Sequence, residues 1–263
     1  TNSNKSYLPE QTICADASNS NDWENIITKY EPKVVIIISN IRHFLPFQKA
    51  LKKIRTVNKN YKDPRLILVG TTGVFSKKKE YSYLNKKIEK ELKSKMKNYV
   101  LLRPSLIYGS ERDKNMFRLI KFISRYKFFL SFGNGENTLQ PVYYKDVSWS
   151  IYKSLVMDKL EGEFNITGKE CITYKKMLLI VFRKLNLRPR IINVPIWPSI
   201  LIAKILETFF NEKSPIRSEQ IERLQENKCF NYDMSSYQFE YKPTEFSLGI
   251  EKQIMDMRNN KLI

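Results

Sequence analysis

The stretch KVVIIIS, residues 33–39, is an almost uninterrupted run of apolar, β-branched side chains. Such a run is typical of a strand that helices cover on both faces, as in a parallel sheet. Two further stretches, RLILVG at 65–70 and YVLLRPS at 99–105, have the same apolar character, and helix-forming segments at about 45–58 and 81–97 separate the three. Strands that alternate with helices predict an α/β fold with a doubly wound, Rossmann-like parallel sheet.

The rest of the chain extends this pattern and then changes it. Before the first of these strands we predict an extended QTICADA at 11–17 and a helix at 21–30 that is capped by Asn21 or Asp22. Beyond residue 110 we predict a basic helix to about 128, a Gly-Asn-Gly turn at 133–135 and extended segments at 138–144 and 163–167. The remaining predicted helices run from Asp146 to about 158, at 173–186, at 216–226 and from Ser247. We therefore expect a core in residues 1–110 and a smaller lobe mainly in 111–263, from which segments around 138–167 return to the core.

The charge of the chain is strongly positive, with 46 Lys+Arg against 27 Asp+Glu in 263 residues, a formal net charge of +19. Such an excess suggests an anionic partner, such as nucleic acid, a phosphorylated metabolite or a membrane surface. The lysines are spread over most segments, however, which favours solvated faces. The sequence contains no Cys/His finger, no aromatic RNP strand and no heptad-linked basic region, so we expect no nucleic-acid partner.

The cysteines and the histidine limit the possible chemistry. Cys14, Cys171 and Cys229 are far apart and odd in number, which argues against a disulfide framework and a cysteine-based metal site and fits a reducing cytoplasm. His43 is the only histidine, so a Ser-His-Asp triad or a multi-histidine metal site would depend on that one ring. We interpret it as a surface or loop residue and expect no metal.

The longest apolar stretch, IINVPIWPSILIAKILETFF at 191–210, is interrupted by Pro195, Pro198, Lys204 and Glu207. It is therefore not predicted to span a bilayer. Its apolar positions recur at helical spacing, which leaves two interpretations open. The helix packs against the rest of its lobe, or it makes a peripheral contact with the inner face of a membrane.

Thr71 and Thr72 follow the strand at 65–70, and the next helix carries Tyr83 and Lys87 four residues apart. That spacing places the two side chains on one helical face. An ammonium near a phenol stabilises the phenolate and lowers its pKa from about 10. With the hydroxyl of Thr71 on the same substrate oxygen, such a trio could move a proton while a nicotinamide carries hydride. Because the chain has 15 tyrosines, the isolated motif also has a chance interpretation.

The order of the segments resembles the extended short-chain dehydrogenase/reductase family, the NAD-dependent epimerase/dehydratases that act on nucleotide sugars. The resemblance covers roughly residues 10–255 and depends on five separated motifs: TTGVF at 71–75, Tyr83-x-x-x-Lys87-x-x-x-Glu91, LRPSLIYG at 102–109, FGNGENTLQPVYYKDV at 132–147 and GEFNITG at 162–168. It implies a Rossmann-like core in 1–110 that binds the dinucleotide and a lobe in 111–263 that mainly binds substrate.

The resemblance also implies roles for individual residues. It implies that Thr71 orients the substrate carbonyl, that Tyr83 is the acid/base, and that Lys87 lowers the pKa of that phenol and holds the nicotinamide ribose. It implies contacts to the cofactor, NAD or NADP, from Asp16, Ala17, Ile38, Ser39, Asn40, Pro104 and Ser105, and a nucleotide-sugar lining that includes Arg112, Gln140 and Val142. Strand termination at Pro104 and a turn at Gln140 are the alternative interpretations.

The sequence departs from the family pattern at three places. No Gly-x-x-Gly-x-x-Gly is present, so we expect the first βαβ unit upstream of residue 1 and an exposed sheet edge in this chain. The stretch from Thr71 to Tyr83 is short, and Tyr81 competes for the acid/base role. Thr72 and Gly73 stand where sugar 4,6-dehydratases of the family carry an acidic pair, so dehydration is disfavoured.

Two functions from different classes follow. One is an NAD(P)-dependent nucleotide-sugar epimerase or keto-reductase. The alternative is a dinucleotide-binding scaffold or assembly subunit without turnover. We expect a cytoplasmic protein, with a homodimer and a contact to the inner face of the membrane as further hypotheses.

Overall fold

The computed structural model describes residues 12–113, 115–210 and 225–263. The strands are β1 (Val34–Ile37), β2 (Arg65–Val69), β3 (Tyr99–Pro104), β4 (Ile107–Tyr108), β5 (Phe129–Phe132), β6 (Thr138–Leu139), β7 (Val142–Tyr143), β8 (Gly162–Ile166), β9 (Ile172–Thr173) and β10 (Ile191–Val194). The helices are α1 (Ser20–Tyr30), α2 (Phe44–Val57), α3 (Lys79–Lys95), α4 (Met116–Tyr126), α5 (Tyr144–Val156), α6 (Tyr174–Lys184), α7 (Ile196–Phe210), α8 (Asp233–Phe239) and α9 (Phe246–Asn259), with 3₁₀ turns at Ile41–His43 and Thr72–Phe75.

The central sheet has the strand order β1-β2-β3-β8, and all three pairings are parallel. Helix α2 connects β1 to β2, and α3 connects β2 to β3. The predicted α/β fold with a Rossmann-like parallel sheet is confirmed. Strand β8 joins this sheet beside β3, as expected for a segment of the second half that returns to the core. The division into two lobes at residue 110 stays a prediction.

Side chains alternate between the two faces of the sheet, and each face has its own apolar core. On one face, Leu66, Leu68 and Leu101 pack against residues of α1, α2 and α3. On the other face, Ile67, Val100, Leu102 and Phe164 pack with residues of α5 and α8. A third cluster lies in the second half of the chain and joins α4, α6 and α9. The sheet is therefore held between helices as its apolar strands predict.

Most predicted elements are found within two or three residues of their expected bounds, and the differences are local. QTICADA is not a strand, because from residue 12 on it runs as a loop into α1. Asn19, rather than Asn21 or Asp22, caps α1 by accepting from the amide of Asn21. Gly133 and Gly135 both have positive φ angles of 82° and 73°, so the predicted turn needs glycine at both positions. The helix predicted at 216–226 lies mostly outside the described residues.

In the part of the chain that the structure describes, β1 forms the edge of the central sheet. It pairs with β2 from Val34↔Arg65 to Ile37↔Leu68. Val34 and Ile36 are only partly buried. The carboxyl end of this edge strand leads into Ser39 and Asn40, so the residues expected to contact a cofactor lie at an edge.

Cys171 and Cys229 form a disulfide, with their Cα atoms 5.6 Å apart. The expectation that no disulfide is present was wrong. The two residues are 58 positions apart in sequence. Cys171 directly precedes β9, which pairs with β6, and Lys228 bridges to Leu139 of β6, so both cysteines lie beside the same short strand. Cys14 is free and exposed.

No helix within the described ranges is both long and apolar enough to cross a membrane. Helix α7 has 15 residues, and Trp197 in its first turn is 74% exposed. The side chains of Ile205 and Phe209 lie outside the described ones. The peripheral membrane contact proposed for this helix stays a prediction.

Candidate functional site

A cavity of about 750 Å³ lies at the carboxyl ends of β2 and β3. In open parallel sheets this edge is where ligands bind, because the connecting loops converge there. The loop after β2 contributes Thr71, Thr72, Gly73 and Phe75, and the residues after β3 contribute Ser105, Leu106 and Ile107. Thr71 and Ser105, both predicted site residues, therefore line one cavity.

The hydroxyl groups of the two threonines are held differently. Thr71 caps the short 3₁₀ turn, because its Oγ1 accepts a hydrogen bond from the amide of Gly73 at 3.1 Å. The hydroxyl can still donate its hydrogen to a ligand. Thr72 is buried, and its hydroxyl donates to the carbonyl of Pro104 at 3.4 Å, which connects the ends of β2 and β3. Ser105 donates its hydroxyl hydrogen to the carbonyl of Gln140.

The opposite wall of the cavity is residues 225–230, which we call the strap. Gln225, Glu226, Asn227, Lys228 and Phe230 all line the cavity. The Glu226 carboxylate accepts from the hydroxyl of Ser76 at 2.8 Å and from the amide of Lys77 at 3.1 Å. The ring of Phe230 lies 5.5 Å from the ring of Phe75. The strap thus closes the cavity against the loop that follows β2.

The charge of the lining is positive. The lining residues include three lysines, Lys77, Lys78 and Lys228, and one acid, Glu226. An anionic ligand is therefore favoured over a neutral or cationic one. Among the described residues no group of three His, Cys, Asp or Glu side chains could hold a metal ion.

No family model and no curated protein sequence matches the chain, but solved structures do. The UDP-glucose 4-epimerase of Thermotoga maritima, solved with UDP-glucose, matches with a TM-score of 0.70 at 13% identity, over 94% of this chain and 84% of that chain. The dTDP-glucose 4,6-dehydratase of Bacillus anthracis, in complex with NAD, matches with 0.65 at 14% identity, over 95% and 80%. The dTDP-4-dehydrorhamnose reductase of the same organism, in complex with NADP, matches with 0.64 at 12% identity, over 92% and 87%.

The chain has the fold of the NAD-dependent epimerase/dehydratases. The similarity to these structures is one of fold. The segment order that suggested the epimerase/dehydratase fold is thus matched in three dimensions over nearly the whole chain.

The proposed acid/base pair is not in the cavity. Tyr83 is 68% exposed and Lys87 is exposed, and neither lines the cavity beside Thr71. The buried face of α3 consists of Ser82, Ile88, Glu89 and Leu92. Because successive helical residues are about 100° apart, Tyr83 and Lys87 are on the side of α3 that faces solvent.

The residues expected to line a nucleotide-sugar site are not among those that line the cavity. Val142 is fully buried in the apolar core and pairs with Ile107. Gln140 is buried, donates from Nε2 to the carbonyl of Gly168 at 2.9 Å, and accepts from the amide of Phe230 at 2.8 Å. It therefore supports the strap. Arg112 is exposed in the turn before α4.

Of the residues expected to contact a cofactor, Ser105 lines the cavity, Pro104 is buried in β3, and Ile38, Ser39 and Asn40 follow the edge strand β1. Ile38 is 58% exposed, the hydroxyl of Ser39 lies 2.6 Å from Nδ1 of His43, and Asn40 caps the 3₁₀ turn through the amide of Arg42. Asp16, next to Ala17, accepts hydrogen bonds from the amide and hydroxyl of Ser18, which lower the pKa of its carboxyl.

A dinucleotide also needs a cradle for its diphosphate, usually a glycine turn at a helix N-terminus. Gly70, at the end of β2, does not supply it, because a Cβ there would meet the side chains of Leu101 at 3.2 Å and Ile41 at 3.3 Å. This glycine makes room for protein rather than for a ligand. Gly70 therefore does not cradle the diphosphate of a dinucleotide.

A buried ionic network lies next to the cavity and was missed by the sequence analysis. The Arg103 guanidinium donates to both oxygens of Glu89, at 3.0 and 2.6 Å, and to Glu163 at 2.5 Å. It also lies 5.4 Å from the centre of the Phe75 ring, which lines the cavity. An arginine next to the carboxyl end of an apolar strand was the available signal.

The strap was missed as well, and for a different reason. Its residues come from a segment about 150 positions after Ser76, so no local pattern indicates the contact. The lysine run at 77–79, in the segment that follows the predicted strand at 65–70, was a signal for the positive wall.

Proposed function

We propose that this chain binds a nucleotide sugar in the cavity and acts on it as an NAD(P)-dependent epimerase or keto-reductase. The observation that supports the proposal is the composition of the cavity. The lining combines hydroxyl groups at two strand ends, Thr71 and Ser105, with lysines and aromatic rings. In a nucleotide sugar, the sugar forms hydrogen bonds with hydroxyl and amide groups, the diphosphate binds cations, and the nucleobase packs against an apolar surface.

The size of the cavity supports a ligand of this class. A volume of about 750 Å³ is within the range usual for small-molecule sites. Lys77, Lys78 and Lys228 would hold the diphosphate, and the rings of Phe75 and Phe230 would contact the base. Thr71 would donate its hydroxyl hydrogen to a sugar oxygen. A bound nicotinamide would supply hydride exchange.

A second function is favoured by one specific observation. Tyr83 and Lys87 lie in solvent, outside the cavity. Without an acid/base residue beside the sugar, the chain would bind nucleotides as a scaffold or assembly subunit and would not turn them over.

The test is binding and turnover with a panel of UDP- and dTDP-hexoses, in the presence of NAD⁺ or NADP⁺. We expect C4 inversion or keto reduction, and no 4-keto-6-deoxy product because Thr72 and Gly73 stand at the positions of the acidic pair. Lys77→Glu places a negative charge in the cavity wall and should weaken UDP binding at least tenfold in calorimetry.

The matched control is Lys59→Glu. Lys59 is exposed in the turn between α2 and β2, at the amino edge of the sheet, so its substitution should leave UDP affinity unchanged. Nucleotide binding without turnover of any sugar would select the scaffold function. Equal UDP affinity in wild type and Lys77→Glu would place the ligand elsewhere.

A further inference from the structure

The strap is fastened to the second half of the chain by a short ladder of hydrogen bonds. The amide of Lys228 donates to the carbonyl of Thr138 at 2.8 Å, and the amide of Thr138 donates to Oδ1 of Asn227 at 2.9 Å. The amide of Phe230 donates to Gln140 at 2.8 Å. These contacts place the strap against β6.

The same strap touches the loop after β2 on its other side. Glu226 accepts from Ser76 and Lys77, and Phe230 contacts Phe75. The strap is thus the part of the cavity wall that joins the loop after β2 to β6. Any change in its attachment to β6 also changes the cavity.

The covalent link of the strap is the disulfide between Cys229 and Cys171. Both residues are exposed, so small thiols and small disulfides can reach them. Without the covalent bond, the strap would depend on its hydrogen bonds and on the contact of Phe230 with Phe75. Water can replace the exposed hydrogen bond between Thr138 and Asn227. The position of the disulfide therefore lets it control how stably the strap is attached to β6.

We propose that the Cys171–Cys229 disulfide is a redox-sensitive fastener that holds the strap against β6 and thereby limits the exchange of ligand with the cavity. The fastening is independent of what the cavity binds. Its effect on a nucleotide rests on the proposed function.

The bond forms and breaks by exchange with a low-molecular-weight disulfide or thiol. One cysteine thiolate attacks the small disulfide, which gives a mixed disulfide and releases one small thiolate. The second cysteine thiolate attacks the protein sulfur of the mixed disulfide and releases the second. In total the two cysteines lose two electrons and two protons, and one small disulfide becomes two thiols. Excess dithiol reverses both steps.

The experiment compares the full chain after oxidised glutathione with the same protein after a dithiol reductant. Peptide mapping by mass spectrometry should find the 171–229 cross-link in the oxidised protein only. Hydrogen exchange should be at least tenfold faster after reduction at the amides of Thr138, Lys228 and Phe230. The dissociation rate of UDP should rise by a similar factor.

Three variants complete the test. Cys171→Ser and Cys229→Ser should match the reduced protein under both conditions, while Cys14→Ser should respond like wild type, because Cys14 is free and exposed elsewhere. The amides of β2 serve as an internal reference and should not change.

The proposal is overturned if Cys171 and Cys229 remain alkylatable after oxidised glutathione, or if the three amides exchange equally in both redox states. Hydrogen exchange needs no ligand. Failure of every form to bind UDP would therefore count against the proposed function alone. The hydrogen-exchange rates of the three amides would still test whether the disulfide holds the strap.

Discussion

Tyr83 and Lys87 show how the rotation of one helix decides which side chains reach a site. Glu89 is held by Arg103 and faces the sheet, which fixes the rotation of α3. The ring of Tyr83 is therefore in solvent, and Tyr81 is the competing candidate for the acid/base role.

The two tyrosines can be compared directly. Tyr83→Phe should leave turnover within about twofold of wild type, because its ring is in solvent, whereas Tyr81→Phe should lower kcat by about 10² to 10⁴, the usual contribution of general acid/base catalysis. Steady-state kinetics on any sugar nucleotide that is turned over checks this. Loss of turnover in Tyr83→Phe with an active Tyr81→Phe would restore Tyr83 as the acid/base.

At this scale the sequence indicated that the two strand ends lie together, but it did not indicate the rotation of the helix. Thr71 and Ser105 follow apolar strands that are easy to recognise, and parallel strands end at one edge, so both were expected at the site. The face of α3 that meets the sheet depends on a buried ion pair between residues 14 positions apart. The Tyr-x-x-x-Lys spacing contains no information on that pair.

At the scale of elements, the ionic network joins α3, β3 and β8 through Glu89, Arg103 and Glu163. Burial would raise the pKa of the Glu163 carboxyl, but hydrogen bonds from Lys93 and Arg103 outweigh it, and the pKa lies below its usual value. A carboxyl whose pKa is lower in the folded state stabilises the fold above its unfolded pKa of about 4.3. That stabilisation is lost as the pH falls through the folded pKa.

Glu163→Gln should therefore flatten the acid side of the stability profile. The free energy of unfolding, measured by urea titration from pH 6 to pH 3, should fall less steeply below pH 4.5 in the variant than in wild type. Glu161→Gln, two positions earlier and exposed, is the control and should follow the wild-type profile. If the free energy of unfolding depends on pH in the same way in wild type and Glu163→Gln, Glu163 does not contribute to the stability of the network.

The elements themselves were largely predictable, because their signals are local. Apolar β-branched runs gave β1 and β2, and amphipathic spacing gave α1, α2 and α4. The disulfide was not predictable, since Cys171 and Cys229 meet only after β6, β9 and the strap have assembled. The odd number of cysteines is explained by one disulfide and one free thiol, Cys14.

At the scale of the whole molecule, the disulfide links positions 58 apart in sequence. Closing a loop of that length reduces the entropy of the unfolded chain, which corresponds to about 4 kcal/mol of stability in the chain-entropy model. For a protein of this size the melting temperature would change by on the order of 10 °C.

Cys229→Ser should lower the melting temperature by that amount in calorimetry under oxidising conditions, and a dithiol should lower the wild type to the same value. Cys14→Ser should melt with the wild type in both states. A melting temperature that is insensitive to the variant and to the reductant would mean that the pair does not constrain the unfolded chain.

The cavity walls come mainly from residues 71–78, 105–107 and 225–230, three separate sections of the chain. During synthesis the first two sections emerge early and can fold with the sheet. The third section lies much further along the chain and emerges later. A nascent chain thus cannot complete the cavity wall until the strap has been made, and a chain that terminates before the strap has the sheet but lacks one wall of the cavity.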